Sequence, residues 1–127
     1  MRNLRGPIAA IGLGLILGGA AHPQDPEDLV PYVGELWAAM DTPDQGSVAV
    51  VGKPIGRLLE WMIWERQFVC GTAVTMRGFG GFDRGRFARV ICQGDPPRPA
   101  RFTYRVELWE DGDTYLVRPW DPLLDER

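Results

Sequence analysis

Apolar residues recur at helical spacing in the first half of the chain and alternate in the second. Leu29, Val33, Leu36, Trp37 and Met40 fall on one stripe of a 3.6-residue repeat. With Asp28 as N-cap, Pro31 sits in the first turn, where its missing N–H is harmless. Asp41-Thr42-Pro43 ends this helix, because a residue before proline disfavours helical geometry. The β-branched stretch Ser47 to Val51 reads as a short edge strand. Gly52-Lys53-Pro54 opens a second helix with proline at its first position. Its stripe is Ile55, Leu58, Leu59, Met62 and Ile63, and Trp61 and Trp64 add apolar area opposite. A helix apolar nearly all round is deeply buried or covered on its second face.

Beyond Gln67 the period changes to two, which marks strands. Phe68 to Met76 and Arg86 to Cys92 flank the glycine-rich segment Gly78 to Gly85, read as a hairpin tip. Asp95 to Pro99 is a stiff connector. Phe102, Tyr104, Val106 and Leu108 alternate with Thr103, Arg105, Glu107 and Trp109. Asp111-Gly112 is a strong two-residue turn. Pairing about it sets Leu108 opposite Tyr115, Val106 opposite Val117 and Arg105 opposite Arg118. Two directly opposed arginines repel, so that spot needs an acid, solvent or a ligand. From Pro119 the tail reads as irregular. The expected fold class is α+β: two short N-terminal helices on an antiparallel sheet of about four strands.

The residues before the first helix change the compartment. Arg2 and Arg5 precede an uncharged apolar stretch, Ile8 to Leu17, and Gly19 and Ala21 are small residues before a cut at His22. This is the pattern of a secretory signal over residues 1–21, with one exported domain over 22–127. The apolar stretch is short of the roughly 20 residues a spanning helix needs, so no transmembrane helix is expected in the mature chain. Periplasmic or extracellular location follows, with a bacterial envelope the natural setting.

An oxidising compartment lets Cys70 and Cys92, the only two cysteines, close as a disulfide. A hairpin centred on Gly81 would set them directly opposite each other. Their spacing is not the short one of a redox pair, and two thiols without histidines fall short of a metal site. Loop closure of this size is worth about 3 kcal/mol in the chain-entropy model.

Charge is unevenly placed. The net charge is −3, and loss of Arg2 and Arg5 would make it −5. Acidic flanks at 22–65 and 106–127 enclose a basic middle at 67–105. The flanks either neutralise the middle or leave a basic face for an anionic partner.

The chemical inventory argues against catalysis. His22, Ser47 and Lys53 are each the single residue of their type, so no triad or dyad is well founded. No cofactor or metal is expected. Glu60/Glu65 and Glu107/Glu110/Asp111 leave a small carboxylate-dependent envelope hydrolase as an alternative. Nucleic acid is not the expected partner, given net acidity and export.

The favoured expectation is a non-catalytic binding or envelope-assembly module. It would contact a protein or envelope component through Phe79, Phe82, Arg84, Arg86 and Arg89 at the hairpin tip. Phe79 and Phe82 could instead tuck under the loop as a small core. A further alternative is a structural subunit of an envelope assembly, docking through Trp61, Trp64 and Trp120.

Overall fold

A computed structural model describes residues 26–95 and 100–125. The expected leader, His22 and most of the proline-rich connector lie outside these residues. Within them the α+β class holds, with five strands in place of about four.

The first helical stretch is broken into three. Helix α1 (Pro26–Leu29) passes into a 3-10 turn (Val30–Tyr32) and then α2 (Val33–Ala39). The helix starts before Asp28, so Pro31 falls in its interior. With no N–H to donate, proline interrupts the α-helical bonding there, and the single continuous helix expected does not form. The stop at Asp41-Thr42-Pro43 is present, with Thr42 Oγ1 donating to the Ala39 carbonyl at 2.7 Å. Helix α3 (Pro54–Glu65) starts at the expected proline. It is buried on both sides, by the sheet and by the α1–α2 segment, as its all-round apolarity requires. It ends in a Schellman motif, with Gln67 N–H bonded to Trp64 O at 2.8 Å and Phe68 N–H to Ile63 O at 3.1 Å. That motif holds Gln67 at φ 70°, where a side chain is strained.

The sheet is antiparallel throughout, in the order β1-β2-β3-β4-β5. Strand β1 (Val48–Ala49) is the expected edge and pairs with β2 (Thr72–Phe82). Strands β3 (Gly85–Gln93), β4 (Arg101–Trp109) and β5 (Tyr115–Pro119) follow. The β4–β5 hairpin has the expected register, Leu108 to Tyr115, Val106 to Val117 and Arg105 to Arg118, but not the expected two-residue turn. Residues 110–114 connect the strands, Gly112 N–H bonds Trp109 O at 3.0 Å, and there Gly112 alone, not Asp111, has a positive φ.

The β2–β3 hairpin departs from expectation. Strand β2 starts at Thr72, not Phe68, because Tyr104 hydroxyl donates to Val69 O at 2.6 Å and Phe68 packs on the Tyr104 ring. It then continues through the glycines to Phe82. The turn is Asp83-Arg84 alone, so no mobile tip spans Gly78 to Gly85. Irregularities at Ala73/Thr75 and Gly78/Gly80 shift the register, and Ala73, not Cys70, lies opposite Cys92. The disulfide still forms: Cys70 is buried just before β2, its Cα 5.2 Å from that of Cys92.

The glycines serve packing. A Cβ on Gly78 would lie 2.5 Å from Met40 O, so only glycine lets the strand pass under the end of α2. Gly80 sits at φ 85° in the bulge, and its N–H bonds Met40 O at 2.8 Å. The tail is also more ordered than expected. Helix α4 (Pro122–Asp125) is started by Asp121, which accepts from Leu123 N–H at 2.9 Å through its side chain. Asp121-Pro122 is a recognisable cap followed by first-position proline.

The core lies between α3 and the inner sheet face. Leu36, Met40, Leu58, Leu59, Met62 and Ile63 meet Ala73, Met76, Ala88, Val90, Val106, Leu108 and Tyr115. Among the described residues no helix is long and apolar enough to cross a membrane.

Candidate functional site

The outer sheet face carries the opposite chemistry. Arg77 lies opposite Arg89, Arg89 opposite Arg105, and Arg105 opposite Arg118. Four arginines therefore form one row across β2 to β5. Directly opposed like charges cost energy, so each needs compensation.

The compensation differs along the row. At the β4–β5 end it comes from carboxylates. Glu107 accepts from Arg105 Nε at 2.7 Å. Asp125 accepts from Arg105 Nη1 at 3.2 Å and from Arg118 at 2.9 Å and 2.6 Å. The acid that the opposed pair requires is thus delivered by α4. Burial pushes the Asp125 carboxyl up, but the Arg118 bonds, the Asp121 amide and the two positive charges outweigh it and hold it below the usual range.

At the β2–β3 end aromatic rings lie against the arginines. The bulge turns Phe79 onto the outer face, where it stacks on Phe87 at 5.2 Å and meets Trp120 at 5.2 Å. Arg77 lies 4.7 Å from the Phe79 ring centre, and Arg89 lies 5.6 Å from that of Trp120. Phe82 meets Phe87 edge-on, and Arg105 lies 3.7 Å over Phe87. Such contacts are worth about 0.5–2 kcal/mol each and leave the arginine charge in place. Among the described residues Arg77 has no carboxylate partner, and the buried Arg77 Nε and Trp120 Nε1 donors find no acceptor. Among the described residues unused donors therefore gather beside Phe79, where Arg77 meets a ring.

The structure brings Phe79, Phe82 and Arg89 together on this face. Phe79 and Phe82 join an aromatic cluster, with Phe87 and Trp120, instead of projecting from a loop. Arg84 stays in the turn, 4.9 Å over the Trp109 ring. Arg86 belongs to the other face: it donates to Trp37 O at 2.9 Å, lies 4.3 Å over the Trp37 ring and faces Asp41 at 3.4 Å. Asp41 and Asp125 each bring a flank carboxylate onto the basic middle. The sequence does not reveal Arg77, Arg105 and Arg118 as members of one row, nor Phe87 and Asp125 beside it; Trp120 stands out in sequence only as a docking candidate. Only the Arg105–Arg118 pair left a signal, in the hairpin arithmetic.

The carboxylates weighed for catalysis, exposed Glu110 apart, are engaged in the fold. Glu60 accepts from Ala73 N–H at 2.9 Å, and desolvation raises its carboxyl despite that bond. Glu65 pairs with Arg66 at 2.7 Å and accepts from the Tyr115 hydroxyl. Burial, then the Glu65 bond, push that hydroxyl far above its ordinary value. Asp111 accepts from the Asp113 and Thr114 amides, both at 2.8 Å, and shapes the hairpin turn. Among the described residues no three His, Cys, Asp or Glu side chains converge as a metal site. The tryptophans do not form a common docking patch either: Trp61 is buried in the core, and Trp120 lies on the outer face.

Comparison with protein-family models, with curated proteins and with solved structures finds no match to this chain. The functional reading rests on its own residues.

Proposed function

We propose that the protein is an exported, non-catalytic binding module that docks an acidic segment of a partner protein on its outer sheet face. The observation that carries this reading is the row Arg77–Arg89–Arg105–Arg118, held in register by three strand pairs. Carboxylates cover its β4–β5 end, while Arg77 at the other end meets only a ring among the described residues. Arginine beside an aromatic ring is the pairing that dominates many protein interfaces. Export is supported by the leader pattern and by the disulfide, which chains keep in oxidising compartments.

Site-directed photo-crosslinking in the native envelope tests it. The reactive residue is placed at Thr75, two positions from Arg77 on the same strand, and at exposed Arg57 on α3 as control. The expected result is a partner protein captured from Thr75 alone and lost on Arg77→Glu with Arg89→Glu. Equal capture from both positions, or capture indifferent to the charge reversals, overturns the reading. Capture of a nucleic acid or polysaccharide overturns the choice of partner.

A further inference from the structure

The C-terminal turn already occupies part of the row, and the manner of its attachment is informative. Among the described residues its contacts with the face include one ring, one backbone amide and one carboxylate. Trp120 sets its ring 5.2 Å from Phe79 and its N–H on Thr103 O at 2.9 Å. Asp125, 3% exposed, places its carboxylate between Arg105 and Arg118. Leu123 and Leu124, between these contacts, are 85% and 59% exposed. A surface helix packed for stability turns its leucines inward. This one turns them out and is held by the groups an acidic ligand would use. Four residues of helix have no stability of their own, so α4 persists only while those contacts do.

We infer that residues 120–125 are a built-in copy of the partner's docking motif, an aromatic residue followed five positions later by a carboxylate, and that this segment holds the face closed until a partner displaces it. The inference deepens the preceding reading and rests on it for the use of the face. A tethered segment competes at an effective concentration near the millimolar range. An external peptide therefore binds the intact chain weakly and a chain with its own copy disabled strongly.

The test is direct. The probe is the synthetic heptapeptide Pro-Trp-Asp-Pro-Leu-Leu-Asp, with a control in which Trp and the last Asp are Ala. The receptors are the full chain and its Trp120→Ala/Asp125→Asn variant. The expected result is binding at least about tenfold tighter to the variant, no binding of the control, and loss on adding Arg118→Glu. If the double variant melts without cooperativity, Asp125→Asn alone carries the test, with a gain of about threefold. On the wild-type chain, saturating probe should speed hydrogen exchange at amides 120–125. Equal affinity for both receptors, no binding to the folded variant, or unchanged exchange overturns the inference. The first and last leave the photo-crosslinking result standing. Crosslinking that fails while the peptide still binds the variant removes the partner reading instead.

Discussion

The two faces of one sheet solve the same burial problem with different chemistry. Ala73, Met76, Ala88, Val90, Val106 and Leu108 line the inner face and are sealed by α3. Arg77, Phe79, Phe87, Arg89, Arg105 and Arg118 line the outer face, where rings and carboxylates offset the charge. The strands and their alternation are common to both. A helix over one face removes water and leaves room for aliphatic groups only. A single turn over the other leaves solvent close enough for charge to persist.

Glu60 and Asp125, buried on opposite faces, titrate in opposite directions. Glu60, under the inner face, is pushed up by desolvation, which outweighs its bond from the Ala73 amide. Asp125, on the outer face, is pulled down because Arg118 and Arg105 outweigh its burial. The sign is therefore set by the balance of burial against hydrogen bonds and neighbouring charge, which burial wins at Glu60 and loses at Asp125.

The contrast can be broken by deletion. Leu59→Ala should cost about 2–5 kcal/mol, since Leu59 is fully enclosed between helix and sheet. Phe79→Ala removes a larger side chain but should cost only about 1–2 kcal/mol, because its site is half open. Urea melts of both variants check this. An equal loss would mean that the outer cluster is a second core.

The two carboxylates sharpen the contrast through pH. Asp125 contributes stability that is present above its ordinary carboxyl value and is lost as pH falls through its lowered folded value. Glu60 behaves oppositely: its contribution is full below the ordinary value and is lost as pH rises through its raised folded value. Asp125→Asn should therefore remove part of the acid-side loss of stability. Glu60→Gln, which keeps an acceptor for Ala73, should raise stability near neutral pH. Unfolding free energies from about pH 2 to pH 7 read both signs. The smallest effect lies away from either face. Gln67→Gly relieves the left-handed strain after α3 and should raise stability by about 0.5–1 kcal/mol, seen as a higher Tm.

The β4–β5 register was legible because Asp111-Gly112 marks the centre of the hairpin, although the turn that forms there is longer than two residues. The β2–β3 hairpin was not. Its glycines read as a loop, whereas Gly78 is needed for a helix end lying across the strand. The bulge that this crossing accompanies moves Phe79 out and shifts every pair beyond it. The disulfide expected from cysteine count and an expected oxidising compartment is present, although the direct opposition assumed for it is absent. Residues 78 to 85 looked like the site because aromatic and basic types cluster there in sequence. The arginine row spans four strands and has no sequential signature.

What the sequence alone determined was local. It specified the helix at Pro54, the alternating strands, the β4–β5 register and the α+β class, because periodicity and turn chemistry act over a few residues. Tertiary structure decided which face each arginine joined, how the row was charged and what covered it. Those outcomes depend on a bulge set by the end of α2 and on Asp125 docking against strands distant in the chain. Register and charge pairing are long-range choices, made when the whole sheet assembles.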